Sequence, residues 1–238
     1  MLEKDGVKCI SFDTTYFGES VTYCPTIVDS PQGAVLFDVG GPSDTDVLEA
    51  AINAAGYEFS DICKVVVTHH DLDHAGCLAD VVTETDAEVV AHHKAVPYLN
   101  GDRVGIKRRD TPMVGTDVDI ELTGGERFLT DAGPLEAIFT PGHNPDHLAF
   151  YLPDVGVLIA GDLFAMTTDT ELATASVEDF VGPKEEPTID MYEAFRSIEK
   201  LLDLDIETTV CFHGGVADAG TPEIREIYAQ GPTQNTTR

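Results

Sequence analysis

Between residues 68 and 74 the chain reads Thr-His-His-Asp-Leu-Asp-His, placing three of its eight histidines and two aspartates within six positions. Imidazole and carboxylate are good ligands for borderline divalent cations. A lone histidine is more often a satisfied core residue, but this density points to a metal. If the segment is an extended turn, alternate residues His69, Asp71 and Asp73 converge, and His74 turns toward a neighbouring ion. Three more ligand-type side chains follow apolar runs: His143 in Thr140-Pro-Gly-His143, Asp162 in Gly161-Asp162 and His213 in Phe212-His213-Gly-Gly. Each stands beside glycine, whose missing Cβ lets backbone approach an ion closely.

The elements that must position these residues are legible from hydrophobic pattern. Val7 to Phe12, Thr22 to Val28, Ala34 to Asp38, Lys64 to Val67, Ala87 to Ala91, Leu135 to Phe139, Leu148 to Leu152, Val155 to Ala160 and Thr209 to Phe212 read as strands, with shorter ones near Ile120 and Phe128. Helices are expected over Asp44 to Ala55, with Ser43 or Asp44 as cap, near Ala75 to Thr83, over His93 to Leu99, and over Thr188 to Leu202. Residues 101–115 carry Arg103, Lys107, Arg108 and Arg109, have little period and read as an exposed loop. Strand, helix, strand occurs twice, from VLFDVGG to VVVTHH and from VLIAGDLF to TTVCFHGG. Two similar halves packed face to face would bring their strand ends to one edge. No linker divides the chain, so one domain is expected over residues 1–230, with a frayed tail over 231–238.

Composition narrows the partners. There are 43 acidic residues against 14 Lys plus Arg, a formal net charge of -29. Nucleic acid and anionic membranes both reward basic patches, so neither is expected. The balance resembles that of proteins from extreme halophiles. Five cysteines without a CxxC spacing suggest a reduced, cytoplasmic chain. The first ten residues lack the apolar core of a secretory signal, and no run of 18 apolar residues occurs.

Taken together, THHDLDHAG, TPGHNPDH, LIAGDLF and CFHGG, in that order and at these separations, resemble the metallo-β-lactamase superfamily over roughly residues 20 to 215. The resemblance implies an α/β fold, the four-layer αββα sandwich, with the site at one edge of the sheets. It implies two divalent metal ions, zinc first in expectation. His69, Asp71 and His143 would hold the first, Asp73, His74 and His213 the second, and Asp162 would bridge them. Asp38 would orient a ligand from behind. His70 and His147 match no ligand position; His70 is expected in the loop and His147 near the site entrance, while His92 and His93 read as surface or structural. Asp71 stands where the commonest family pattern has histidine. Flavodiiron members also have a carboxylate there and bind iron, so iron or manganese is an alternative to zinc.

The activity implied is metal-dependent hydrolysis of an ester, thioester or lactone of a small molecule, with Asp73 holding the water and moving its proton. Two rivals use the same cage: an iron-dependent oxidoreductase or dioxygenase, and a metal-binding module without turnover. With 25 residues after His213, neither the extra helical domain of glutathione-dependent glyoxalase II enzymes nor a flavodoxin domain is expected. The substrate is left open, and so is assembly, for which a homodimer is one expectation.

Overall fold

The computed structural model describes residues 2–4, 6–167 and 177–232. The expected frayed tail therefore lies, from 233 onward, outside the described residues. In chain order come β1 (Leu2–Lys4), β2 (Val7–Cys9), the hairpin β3 (Phe12–Tyr16) and β4 (Glu19–Tyr23), β5 (Thr26–Ser30), β6 (Gly33–Phe37), α1 (Thr45–Ala54), β7 (Ile62–Val67), α2 (Leu72–Ala75), α3 (Leu78–Thr85), β8 (Glu88–His92), α4 (Val96–Leu99) and β9 (Ile120–Leu122). The second half holds β10 (Arg127–Thr130), β11 (Gly133–Phe139), β12 (Leu148–Leu152), β13 (Val157–Ile159), β14 (Ala165–Met166), β15 (Phe180–Val181), α5 (Met191–Glu199), β16 (Thr208–Cys211), β17 (Gly215–Ala217) and α6 (Thr221–Gln230).

Two sheets carry the molecule. The first runs β1-β2-β5-β6-β7-β8-β9, with β6 to β9 parallel; the second runs β10-β11-β12-β13-β16-β17, with β13 and β16 parallel. The twofold echo in the sequence is thus a pair of parallel crossovers, β6-α1-β7 and β13-α5-β16.

Alternation along the strands separates three apolar layers. Val35, Phe37, Val66 and Val90 face Leu148, Phe150, Leu152 and Val210 between the sheets. Their neighbours Leu36, Val65, Val67 and Val89 turn outward onto Leu48, Ile52, Leu78 and Val81 of α1 and α3. Ala149, Tyr151, Leu158 and Cys211 turn the other way, onto Ala194, Phe195, Ile198, Ile224 and Ile227 of α5 and α6. The order is helix, sheet, sheet, helix. Strands in the middle are buried on both faces, which is why they read as continuous apolar runs. Phe37 and Phe150 meet edge to face across the inter-sheet layer at 5.1 Å.

Several elements differ from the sequence reading. The stretch expected as two strands over 7–12 and 22–28 is interrupted at Ile10-Ser11 and Cys24-Pro25, because β3 and β4 leave the sheet as their own hairpin. The helix near Ala75 to Thr83 is two helices, α2 and α3, separated at Gly76-Cys77. Helix α5 is shorter than expected because the Asp190 side chain accepts the Glu193 N–H and starts it there. Helix α6 was not anticipated, although Pro222, Glu223 and the apolar pair Ile224 and Ile227 carry its signal. All five cysteines are free thiols. Among the described residues no helix is long and apolar enough to cross a membrane.

Candidate metal centre

Parallel neighbours finish at the same edge of a sheet, and this places the chemistry. Asp38 follows β6, residues 68–71 follow β7, Asp162 lies just beyond β13 and His213 just beyond β16. Strand β11 is antiparallel to β12, which is antiparallel to β13, so the turn holding His143 opens on that edge too. Backbone hydrogen bonds tie the two halves there: Leu148 N–H donates to Thr68 O at 2.9 Å and Cys24 N–H to Phe212 O at 2.9 Å.

The structure brings the seven ligand-type residues together in two groups. Ligand atoms of His69, His143 and Asp162 lie within 4.8 Å of one another, and so do those of Asp73, His74 and His213. Asp71 Oδ2 is 3.2 Å from both His69 Nε2 and His143 Nε2, which adds Asp71 to the first group. Asp162 stands between the groups, 3.3 Å from His143 Nε2 and from His74 Nε2 and 3.6 Å from His213 Nε2. The route to this geometry is not the extended turn expected. Asp71 is extended at φ -64° and ψ 147°, but its carbonyl then accepts the N–H groups of His74 and Ala75, so Leu72–Ala75 form one helical turn. That turn sends Asp73 away from His69 and Asp71 and into the second group beside His74.

Hydrogen bonds behind the groups fix which imidazole nitrogen faces inward. Asp38 Oδ1 accepts Thr68 N–H at 2.8 Å, and Asp38 Oδ2 accepts the Thr68 hydroxyl at 2.8 Å and His74 Nδ1–H at 2.9 Å. The Thr68 hydroxyl has one hydrogen and gives it to the carboxylate, so Thr68 Oγ1 must accept from His69 Nδ1 at 3.1 Å. In their neutral forms both rings therefore carry the lone pair on Nε2, the nitrogen that faces the site. Asp38 holds this position at φ 59°, a left-handed conformation that aspartate tolerates better than most residues.

His70 lies in the loop that follows β7, as expected, but His147 is not where the sequence placed it. His147 is fully buried behind the site rather than at its entrance. Its Nε2 accepts the Asp162 N–H at 3.1 Å and its Nδ1 donates to Thr140 Oγ1 at 2.8 Å. Burial, then repulsion from His143, lowers its pKa to about 3, so it stays neutral. His70 is also buried: Asp146 accepts both its N–H at 2.9 Å and its Nδ1–H at 2.8 Å, and its ring stacks on Tyr98 at 3.9 Å. His92 is structural, stacked on Phe139 at 4.3 Å. The glycines too have another reason than access for an ion. A Cβ on Gly142 would stand 2.2 Å from Ala194 N, and one on Gly161 2.8 Å from His147 Nε2, so neighbouring protein demands them.

The electrostatics call for cations. Burial alone would raise the Asp71 carboxyl, but His69, His143 and Lys107 hold it well below the usual range. Burial likewise opposes ionisation of Asp162, and His213, His74 and His143 overcome it. Burial disfavours a charge on His74, yet Asp162 and Asp38 raise its pKa; His69, by contrast, is lowered by burial and by His74. Among the described residues six buried side-chain polar atoms lack a hydrogen-bond partner, and His69 Nε2, His74 Nε2 and Asp162 Oδ1 are three of them. Orphaned polar atoms of this kind are costly in a folded protein, and cations bound in the two groups would satisfy all three. The donor set of imidazoles and carboxylates fits zinc, iron or manganese.

A cleft of about 490 Å³ opens on the groups, lined by Asp71, Asp73, Asp162, His143 and His213 and also by Lys107, Arg108 and Lys184. The sequence left Lys107 in an exposed loop. Instead its ammonium lies 2.5 Å from Asp71 Oδ2 and 2.7 Å from His143 Nε2. The adjacent Ile106 N–H points at His70 Nε2 at 3.5 Å, and the Arg108 guanidinium sits over the Phe17 ring at 4.3 Å. No periodicity marks these contacts; the only signal was four basic residues clustered in a chain so poor in them.

Comparison with known proteins supplies the family and supports the fold. A family model described as the metallo-beta-lactamase superfamily matches residues 25–213. The probable metallo-hydrolase YflN of Bacillus subtilis is 25% identical over 213 residues, which cover 81% of this chain and 79% of the relative. A hydroxyacylglutathione hydrolase of Brucella anthropi is 28% identical over 142 residues, 59% of this chain and 46% of that protein. A solved variant of the metallo-beta-lactamase from Cronobacter sakazakii superposes with a TM-score of 0.71 at 21% identity, covering 97% of this chain and 94% of that one. At that identity the likeness is one of fold.

Proposed function

Because the chain belongs to the metallo-β-lactamase superfamily, we propose that its metallo-hydrolase site cleaves an ester, thioester or lactone bond of a small anionic molecule. The observation that carries this is the pair of ligand groups, with orphaned Nε2 and carboxylate atoms, at the base of an open cleft. His69, Asp71 and His143 would hold one ion, Asp73, His74 and His213 a second, and Asp162 would lie between them. When bound, the ions would supply a water of lowered pKa and polarise the scissile carbonyl. Asp73, whose side chain is 17% exposed and 3.3 Å from His213, faces the cleft and would hold the attacking water and pass its proton to the leaving group. Asp38 and Thr68 would keep the His74 and His69 rings in their ligating tautomers, and His147 would hold the Asp162 backbone.

The charge of the cleft wall supports an anionic substrate. Three of the 14 basic residues of the chain, Lys107, Arg108 and Lys184, line it against one carboxylate outside the ligand groups, Glu186, while the overall charge of -29 repels anions elsewhere. The test is elemental analysis of the purified chain, then a screen of acidic and neutral esters, thioesters and lactones. Metal near two equivalents is expected. His213→Ala should lose mainly one of them and Asp162→Ala should weaken both. Metal near zero after reconstitution with zinc, iron or manganese would refute the reading.

A further inference from the structure

Lys107 touches the first ligand group in a way that the second group has no counterpart for. Its ammonium is in hydrogen-bond range of both Asp71 Oδ2 and His143 Nε2, at 2.5 and 2.7 Å. Those two atoms are themselves 3.2 Å apart, and Asp71 Oδ2 is equally far from His69 Nε2. An ammonium has three donors and no acceptor, so it takes the Asp71 charge and the His143 lone pair at once. These are the same atoms that an ion in the first group would need. Among the described residues no lysine or arginine bonds to Asp73, His74 or His213, whose partners are other histidines and carboxylates.

The contact is supported from both sides. The Lys107 side chain is only 16% exposed and Asp71 only 9%. Asn144 Nδ2 donates to the other Asp71 oxygen at 2.8 Å and fixes the carboxylate. On the loop, the buried His70 ring holds the Ile106 N–H next to Lys107. Position 71 explains itself in this light. A carboxylate there gives the ammonium a directly bonded counter-charge, whereas a neutral imidazole would leave it beside two histidines without that bond.

We propose that Lys107 is a built-in cation of the first ligand group, so that the two metal positions of this protein are unequal. The ion at Asp73, His74 and His213 binds without competition. An ion at His69, Asp71 and His143 must first displace the ammonium, which then stands free on the cleft wall beside Arg108 to meet an anionic substrate. This rests on the metallo-hydrolase reading above.

The test is a calorimetric titration of the metal-stripped full chain with zinc, with stoichiometry checked by elemental analysis after gel filtration. The wild type should bind one equivalent tightly and a second about tenfold or more weaker, the effect of one charge-assisted contact. Lys107→Met should tighten the weaker step by about tenfold to a hundredfold and move the tighter step by less than about twofold. Lys107→Gln, which keeps a polar head, controls for packing and should tighten the weaker step as well. Two equal steps in the wild type, or an unchanged weaker step in both folded variants, would overturn the inference and leave the metallo-hydrolase reading standing. No zinc bound by any of the three proteins would instead overturn the reading on which it rests.

Discussion

Asp38 never faces the cleft, yet replacing it with asparagine should cost much of the metal affinity. Its carboxylate is buried and accepts three hydrogen bonds, from Thr68 N, Thr68 Oγ1 and His74 Nδ1. Asp38→Asn keeps the shape and the left-handed backbone, which asparagine also tolerates, but turns one acceptor into a donor. If the amide nitrogen replaces Oδ1, it faces the Thr68 N–H, donor against donor. If it replaces Oδ2, the Thr68 hydroxyl must turn its hydrogen away and accept from the amide, so it loses its carboxylate acceptor. His74 must then move its proton to Nε2, the nitrogen aimed at the ligand group. Either way at least one bond to a charged acceptor is lost, worth roughly 1.5–3 kcal/mol. The stability of the metal-free protein should fall by about that amount in urea unfolding. Affinity for zinc, measured by competition with a chromogenic chelator, should fall about 10- to 100-fold, as for other residues that orient a metal-bound histidine. Asp38→Ala should be worse by about 1–2 kcal/mol, because alanine adds the strain of φ 59°. Affinity for Asp38→Asn within about twofold of wild type, in a folded protein, would refute the reasoning, since the tautomers would then not depend on this carboxylate.

Two further outcomes test the fold rather than the site. With a net charge of -29, the thermal midpoint should rise from low salt to molar KCl as the screening length shrinks to roughly 3 Å at 1 M; a flat or falling midpoint would count against an acidic surface adapted to salt. Phe150→Ala, at a fully buried site against Phe37 between the sheets, should cost about 3–5 kcal/mol in denaturant unfolding. A loss below about 1 kcal/mol would mean that the inter-sheet layer can collapse around the gap.

Local pattern along the chain was enough to specify the frame. Apolar runs such as Lys64 to Val67 and Leu148 to Leu152 mark strands buried on both faces, because burial imposes a local pattern that composition records. Ligand-type residues directly after such runs mark a site at strand ends, because parallel strands finish at a common edge. Asp38 was legible for the same reason. Tertiary structure alone decided what crosses between those ends. His70 meets Asp146 76 positions away, and Lys107 meets Asp71 36 positions away. His147 lies behind Asp162 and not before it, since Gly161 leaves room for the ring to reach the backbone. None of these pairings has a period or a neighbour in the chain to announce it. They arise because two halves, each specified by local pattern, close on one another, and only closure settles which side chains share the buried edge between them and which nitrogen of each ring is left to face a cation.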